Sequence, residues 1–199
     1  MTPRNKDQKS SLRMALRTRR KRISHSSRQI LDMAINQHLL EFIDGHQPKT
    51  IAAFWPFDGE PDLLPALGQA SRQGVQLTLP VIRQDGSGRS IIFRHWSPEQ
   101  EMTKNHFGIP EPCGTHEALI VDIDLILMPM VGWDESGRRL GMGAGYYDRA
   151  LEPLALKSAP LRMGVAYQAQ KTNNIPDDPW DIRLHHVLSE SGCHNCPAC

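Results

Sequence analysis

The sequence has no apolar run near the length that a membrane-spanning helix needs. Such a helix requires about 20 predominantly apolar residues, whereas here 39% of residues are hydrophobic and 23% are charged. No apolar segment follows the basic N-terminus, so the pattern of a secretory signal peptide is missing as well. Composition therefore predicts a soluble, cytoplasmic protein with no membrane partner. Its 199 residues fit one ordinary domain with a single large core.

Cysteine is scarce, and three of the four cysteines lie in the last seven residues. The spacing of Cys193, Cys196 and Cys199 can bind zinc or an iron–sulfur cluster, but a closed site of either kind needs a fourth ligand. Chain ends are usually poorly ordered. We therefore favour an unstructured Cys-rich tail over residues 191–199, with metal binding as the alternative, and assign residues 1–190 to a single domain.

Negative charge is nearly absent from the segment Arg4 to Arg22, which we call the basic segment. It contains nine Lys or Arg and one acidic residue, and the rest of the chain carries 14 basic and 21 acidic residues, a formal charge of −7. It has no aromatic side chain that could stack on a base. We therefore predict a solvated helix face and rank nucleic acid last among the partners considered.

The order of helical and strand patterns predicts an α/β fold with three layers, a mostly parallel sheet and helices on both faces, Rossmann-like and of the doubly wound type. Helices are predicted over 8–22, 24–45 and 62–74. Strands are predicted near 50–57, 75–82, 123–131 and 161–168, with a final edge strand after a Pro-rich loop. The succession of strand, helix and strand between 50 and 82 predicts a parallel crossover.

Three alternating glycines in "RRLGMGAGYYDRAL" follow a predicted strand and precede a helical pattern. We call residues 141–145 the glycine loop. Glycines let the backbone turn sharply so that several N–H groups approach one ligand, and a helix start adds free N–H groups and a positive dipole end. The spacing is neither that of the dinucleotide fingerprint nor that of the P-loop. It predicts a phosphate site, with a simple strand-closing turn as the alternative.

The glycine loop, together with three other sequence blocks, resembles the sequences of the 5-formyltetrahydrofolate cyclo-ligase family. The other matching blocks are "KSSLR" near the start, "FDGEPD" after the first strand and "IPDDPWDIRL" near the end, all in the family's order. The similarity runs from about Lys9 to Glu190. It implies an ATP- and Mg²⁺-dependent ligase of one-carbon metabolism that converts 5-formyltetrahydrofolate to 5,10-methenyltetrahydrofolate through a phosphorylated formyl oxygen, with release of ADP and phosphate.

The resemblance also implies the site residues. Those for ATP are Lys9, Ser10, Ser11, Leu12, Arg13, Arg139, Leu140, Gly141, Met142, Gly143, Ala144, Gly145, Tyr146 and Tyr147. Those for the folate are Trp55, Glu60 and Tyr146, and those for Mg²⁺ are Asp148 and Asp181. The family commonly has Gly or Lys at the position of Ala144, so a positive φ at this alanine would strain the backbone.

The residue types suit these roles. Lys9 and Arg13 are four residues apart and share one helix face, and Glu60 can accept paired hydrogen bonds from the N–H groups of a reduced pterin. Mg²⁺ takes one or two carboxylates together with water and phosphate oxygens. Without the resemblance, Asp148 would be assigned as a helix cap and Asp181 as a turn residue. Two other functions stay open: a sugar-phosphate isomerase that uses the glycine loop alone, and a nucleic-acid-binding protein that uses the basic segment.

Overall fold

The structure is a computed structural model that describes residues 3–85, 88–155 and 159–197. Its helices are α1 (Pro3–Lys21), α2 (His25–His46), α3 (Leu64–Arg72) and α4 (Tyr146–Leu151). Its strands are β1 (Thr50–Ala52), β2 (Gln76–Asp85), β3 (Gly88–Trp96), β4 (Met102–Lys104), β5 (Pro110–Pro112), β6 (Glu117–Ala118), β7 (Leu125–Pro129), β8 (Gly132–Trp133), β9 (Arg139–Leu140), β10 (Leu161–Val165), β11 (His186–Ser189) and β12 (Gly192–Asn195). Short 3-10 helices cover Ile120–Asp122, Glu152–Leu154 and Gln168–Gln170. No helix within the described ranges is long and apolar enough to cross a bilayer.

Eight strands form the central sheet, in the order β12-β11-β10-β7-β1-β2-β3-β6. The inner strands from β11 to β2 run parallel to one another, and β12, β3 and β6 pair antiparallel at the two sides. Strands covered on both faces are apolar along their whole length, as in the sequence LILMP of β7. The sheet confirms the predicted α/β class and its mostly parallel pairing.

Helices cover both faces of the sheet, as predicted. Leu39 of α2 and Leu67 of α3 pack with Leu127 of β7 in one buried cluster. Met128, the next residue in β7, points to the opposite face and packs in a second cluster with Leu151 of α4. The crossover from β1 through α3 to β2 is parallel, with Ile51 opposite Leu77, so this prediction is confirmed.

The N-terminal helix α1 packs against segments that follow the carboxyl ends of β7 and β10. Leu16 is fully buried and forms a small cluster with Val131, Leu140 and Ile175. The approach is close, because a Cβ on Gly132 would lie 2.3 Å from Leu16 Cδ1. α1 therefore lies at the edge of the sheet where proteins with open parallel sheets bind their ligands.

The C-terminal segment differs from its prediction. Its described part, residues 191–197, is not an unstructured tail, because β12 pairs with β11 and places Cys193 opposite Leu188. The prediction was wrong because an edge strand is held by backbone hydrogen bonds, which need no apolar pattern in the sequence. β11, predicted as the edge strand, is therefore the second strand from this side. Cys193 is exposed and Cys196 is half-buried, whereas Cys199 lies outside the described residues.

Candidate functional site

A cavity of about 690 Å³ opens at the carboxyl ends of the central strands. Phe54, just after β1, and Pro129, at the end of β7, both line it. The rest of its lining comes from α1, the loop after β1, β2, β3, the β4–β5 hairpin, β9, the glycine loop with α4 and the 3-10 helix after it, and residues 180–181. A volume of this size is typical of small-molecule sites, which commonly lie at this edge of an α/β sheet.

Most residues assigned from the resemblance line this cavity. They are Lys9, Arg13, Trp55, Glu60, Arg139, Leu140, Gly141, Met142, Gly143, Ala144, Gly145, Tyr146, Tyr147, Asp148 and Asp181. Ser10, Ser11 and Leu12 are described but are not among the lining residues: the serines are exposed on α1, and Leu12 packs beside Leu16. Lining a cavity does not identify a ligand, so the binding roles stay predictions.

The glycine loop has the backbone geometry that only glycine adopts easily. Gly143 has a φ of 102° and Gly145 a φ of 67°, in the left-handed region. The non-glycine residues with positive φ in the described ranges are Gln47 and Asp58, so Ala144 does not carry the strain considered for it. The first turn of α4 follows directly, and its leading N–H groups have no helical acceptor.

Two guanidinium groups hold the glycine loop. Arg13 Nε donates to the carbonyl of Gly141 at 2.8 Å, and Arg149 Nη1 donates to the carbonyl of Ala144 at 2.9 Å. Burial lowers the pKa of Arg13, and the charge of Asp181 partly offsets this. The loop therefore lies between positive charges, which suits a polyanionic ligand such as a phosphate chain.

Lys9 is a buried ammonium group between two carboxylates. Its Nζ donates to Asp178 Oδ2 at 2.7 Å and to Asp181 Oδ2 at 2.5 Å, and the backbone N–H of Asp178 also donates to Asp181 Oδ2, at 2.9 Å. Burial alone would lower the pKa of Lys9, but the bonds to the two carboxylates outweigh it and raise the pKa. Lys9 therefore stays charged and holds Asp181 at the cavity.

Asp148 and Asp181, the residues assigned to Mg²⁺, are close to each other. Arg139 Nη2 donates to Asp148 Oδ1 at 2.5 Å, and the N–H of Ile182, the residue after Asp181, donates to the same oxygen at 3.2 Å. Among the described residues, the donors to these carboxylates bind Oδ1 of Asp148 and Oδ2 of Asp181. Oδ2 of Asp148 and Oδ1 of Asp181 accept none of these hydrogen bonds, and we call them the open oxygens.

These two carboxylates fit a Mg²⁺ ion. Within the described ranges there is no group of three or more His, Cys, Asp or Glu side chains arranged to hold a metal ion, which a closed zinc site would need. Mg²⁺ asks for less, since one or two carboxylates suffice when water and phosphate oxygens complete its shell. The open oxygens of Asp148 and Asp181, beside the glycine loop, meet that requirement.

Glu60 is a buried carboxyl group at another part of the cavity. Its side chain is 9% exposed, Oε2 accepts the N–H of Phe57 at 3.2 Å, and Oε1 lies 3.7 Å from Arg20 Nη1. Burial raises the pKa of Glu60 to about 7, against the opposing effects of Arg20 and the Phe57 N–H. The group is therefore poised to change charge near neutral pH.

Aromatic side chains line the cavity together with Glu60. Trp55 packs edge-on against Trp96, with ring centroids 6.1 Å apart. The hydroxyl of Tyr147 is buried and has no hydrogen-bond partner among the described residues. Burial raises the pKa of Tyr147, and the charge of Glu60 raises it further. An apolar surface with a few unpaired polar groups is what a flat heterocycle with N–H and C=O groups requires.

Sequence reasoning missed the part of the cavity that the β4–β5 hairpin supplies. Asn105 Oδ1 accepts the N–H groups of Phe107 and Ile109, and its Nδ2 donates to Glu111 Oε1 at 2.8 Å. This places Phe107, which is 46% exposed, at the cavity. Trp180 lines it as well and is 50% exposed. The sequence signal that could have indicated this part of the cavity was a large aromatic residue, Phe107 or Trp180, in each of two Pro-rich loops.

The basic segment is not simply a solvated face. Arg20 is fully buried and Lys9 is 4% exposed, and Arg17, Arg20 and Lys21 all form ion pairs with Asp58. The prediction was wrong for Lys9 and Arg20, because their acidic partners lie far away in the sequence, where no local pattern reveals them. Arg17 and Lys21 remain 39% and 58% exposed, as a solvated face requires.

Comparisons with known proteins match the chain over nearly its whole length. The model of the 5-formyltetrahydrofolate cyclo-ligase family matches residues 5–190. A 5-formyltetrahydrofolate cyclo-ligase from Haemophilus influenzae is 31% identical over 186 residues, which cover 92% of this chain and 98% of the relative. The NMR structure of a 5,10-methenyltetrahydrofolate synthetase from Aquifex aeolicus superposes with a TM-score of 0.80 at 31% identity, over 96% of this chain and 94% of the other. The structure of a 5,10-methenyltetrahydrofolate synthetase from Mycoplasma pneumoniae superposes with a TM-score of 0.73 at 28% identity, over 92% of this chain and 98% of the other.

Proposed function

The chain belongs to the 5-formyltetrahydrofolate cyclo-ligase family, and we propose that its cavity is the active site in which ATP drives the closure of 5-formyltetrahydrofolate to 5,10-methenyltetrahydrofolate. One observation carries the proposal: a single cavity is lined both by a glycine loop held by cations and by a buried carboxyl group. The first suits the phosphates of a nucleotide and the second suits the N–H groups of a reduced pterin.

The reaction needs activation of an amide. The formyl oxygen is a poor leaving group, so ring closure onto the formyl carbon requires that this oxygen first be phosphorylated. The formyl oxygen attacks the γ-phosphorus of ATP, and ADP departs. The neighbouring folate nitrogen then adds to the formyl carbon and loses its proton, the carbon–oxygen bond breaks, and phosphate leaves. The sum converts 5-formyltetrahydrofolate and ATP to the methenyl product, ADP and phosphate.

Phosphoryl transfer asks the protein for positioning and charge neutralisation rather than for covalent chemistry. Arg13 and the N–H groups of the glycine loop would bind the phosphates of ATP, and Arg139 would add positive charge where the transferred group lies. Both guanidinium groups are already held, Arg13 by the Gly141 carbonyl and Arg139 by Asp148. Preorganised charges of this kind stabilise a transition state without reorganisation.

Asp148 and Asp181 would hold Mg²⁺ through their open oxygens. The ion, when bound, supplies positive charge that offsets the charge of the phosphates. Lys9 keeps Asp181 in place through a short hydrogen bond. Asp148 and Asp181 line the same cavity as the glycine loop, which supports this assignment.

Glu60, Trp55 and Tyr146 would bind the folate. In its ionised form, Glu60 accepts hydrogen bonds from the amino and ring N–H groups of the pterin, and the aromatic rings pack beside the ring system. Because the pKa of Glu60 is about 7, this interaction strengthens as the pH rises through neutrality. As a consumer of ATP, the enzyme is expected in the cytoplasm.

The test is the absorbance of the methenyl chromophore with purified protein, 5-formyltetrahydrofolate, Mg²⁺ and ATP, against reactions that each lack one component. We expect the signal to grow only when folate and ATP are both present, and a chelator to abolish it. Folded protein that gives no signal, or a rate independent of ATP, would contradict the proposal. ATP that stays unused would favour an isomerase that uses the glycine loop alone.

A further inference from the structure

Arg20 of α1 is a fully buried arginine between two carboxylates. Its Nη2 donates to Asp58 Oδ2 at 2.9 Å, and its Nη1 donates to the carbonyl of Met130 at 3.4 Å. The same Nη1 lies 3.7 Å from Glu60 Oε1, beyond hydrogen-bond distance. A buried guanidinium group needs a close negative partner, and here that partner is Asp58 rather than Glu60.

Asp58 is fixed where it can take this role. Besides Arg20, its carboxylate binds Arg17 Nη2 at 2.8 Å and Lys21 Nζ at 3.0 Å. Its φ of 51° is in the left-handed region, and Gly59 follows with a φ of 81°. A Cβ on Gly59 would lie 2.3 Å from Arg28 Nη1. The turn is therefore bound by α1 on one side and lies close to Arg28 of α2 on the other.

We infer that Asp58 is a positioning residue for the active site: by engaging Arg20, it keeps the guanidinium group from closing onto Glu60 and leaves that carboxylate available to the substrate. The inference rests on the proposed binding of the folate by Glu60. A direct pair between Arg20 and Glu60 needs a shift of only about 1 Å, since charge-assisted bonds are typically about 2.8 Å long. Without the charge of Asp58, Glu60 is the nearest carboxylate that the buried Arg20 can engage.

The protonation of Glu60 reports on this arrangement. The charged or titratable groups that face Glu60 are Arg20 of α1, Asp58 of its own turn and Tyr147 of α4, together with the N–H of Phe57. Burial raises the pKa of Glu60, Arg20 lowers it and Asp58 raises it. Neutralising Asp58 should therefore lower the pKa of Glu60, whereas removing Arg20 should raise it. Because charge alone sets the sign of these shifts, the KM for the folate is the readout that reports whether Arg20 closes onto Glu60.

The experiment measures kcat/KM for 5-formyltetrahydrofolate against pH, at saturating ATP and Mg²⁺, for the wild type, Asp58→Asn and Arg20→Met. Asparagine tolerates the left-handed φ at position 58. In the wild type we expect kcat/KM to fall as the pH drops through the pKa of Glu60, about 7; we call this part of the pH profile the acid limb. In Asp58→Asn we expect this limb to move down by about one pH unit. Above the limb, KM for the folate should rise about tenfold, because Arg20 then occupies the carboxylate.

The controls separate this role from a general loss of ion pairs. Lys21→Met removes another cation from Asp58 but leaves the bond to Arg20, so its limb should coincide with that of the wild type. KM for ATP should stay unchanged in Asp58→Asn. Arg20→Met, where thermal melting shows it folded, should move the limb upward; where it does not fold, Asp58→Asn alone decides.

Two results would overturn the inference while leaving the proposed function intact. One is an Asp58→Asn enzyme whose limb and KM for the folate match those of the wild type. The other is an Asp58→Asn enzyme that loses activity equally toward folate and ATP with its limb unmoved. A wild type that forms no methenyl product is a different result, because it overturns the proposed function and the inference with it.

Discussion

Replacing Asp178 with asparagine would test how much the buried Lys9 cluster stabilises the fold. The side chains of Lys9 and Asp178 are 5% and 4% exposed, and their bond is 2.7 Å long. Asparagine has nearly the same shape and can still accept a hydrogen bond, so the substitution removes the charge and little else. Lys9 keeps its second partner, Asp181, at 2.5 Å.

The expected loss follows from this geometry. Removing one partner of a buried ion pair costs about 3 to 5 kcal/mol when the remaining charge is left alone, but Lys9 is not left alone. A charge-assisted hydrogen bond contributes about 1.5 to 3 kcal/mol, so we expect Asp178→Asn to lower the free energy of unfolding by about 2 kcal/mol. For a chain of this size, the melting temperature should fall by about 6 °C.

The pH dependence adds a second requirement. The bond to Lys9 lowers the pKa of Asp178 below 3.8, so its contribution is fully present above this value and is lost as the pH falls through the folded pKa. Lys9 is buried, which lowers its pKa, but the two carboxylates raise it above 10.5. Its contribution is fully present below that value and is lost as the pH rises through the folded pKa. The difference in the free energy of unfolding between variant and wild type should therefore not change with pH between pH 3.8 and pH 10.5.

Urea unfolding followed by far-UV circular dichroism measures the difference. Glu135→Gln serves as the matched control, because Glu135 pairs with Lys171 at 2.6 Å but is 72% exposed, and its transition should coincide with that of the wild type. An Asp178→Asn transition that also coincides with the wild type, or a deficit that varies steeply near neutral pH, would refute the reasoning.

Three further outcomes are expected. Asp148→Asn should lower turnover about a hundredfold or more, beyond what a modest fall in melting temperature explains, since Arg139, which is 6% exposed, also loses its charged partner; wild-type turnover across a Mg²⁺ titration would contradict the assignment. Arg139→Ala should lower kcat/KM for ATP about a hundredfold. Arg138 donates to Asn174 and does not line the cavity, so Arg138→Ala should leave kcat/KM for ATP unchanged. Equal losses in the two variants would argue against a specific role of Arg139. Gly164→Ala should destabilise the fold by about 1 to 3 kcal/mol, because its Cβ would lie 2.6 Å from Leu184 Cδ1; an unchanged urea midpoint would show that the neighbouring side chains yield.

Local sequence patterns were enough to predict the helices and strands whose apolar residues recur with the spacing of that element. The apolar runs of β1, β2, β7 and β10 and the apolar face of α2 follow directly from the spacing of their residues. The rule that parallel sheets bind ligands at their carboxyl ends then brings the loop with Glu60 and the glycine loop to one edge, and both line the cavity.

The parts that sequence missed depend on pairs of distant residues. Lys9 meets Asp178 and Arg20 meets Asp58, and no periodic pattern connects residues so far apart. β12 is held to β11 by backbone bonds, which carry no side-chain signal. Phe107 reaches the cavity through the β4–β5 hairpin, whose strands of three residues are too short to produce an alternating pattern.

The contacts of α1 have a consequence for the order of events during synthesis. The partners of Lys9 are made 169 and 172 residues after it. A ribosome adds about 5 to 20 residues each second, so Lys9 is without these two carboxylates for about 8 to 35 seconds after it is made. The cavity also lacks Trp180 and Asp181, which line it, until this part of the chain has been made, so the site described above cannot be complete before then.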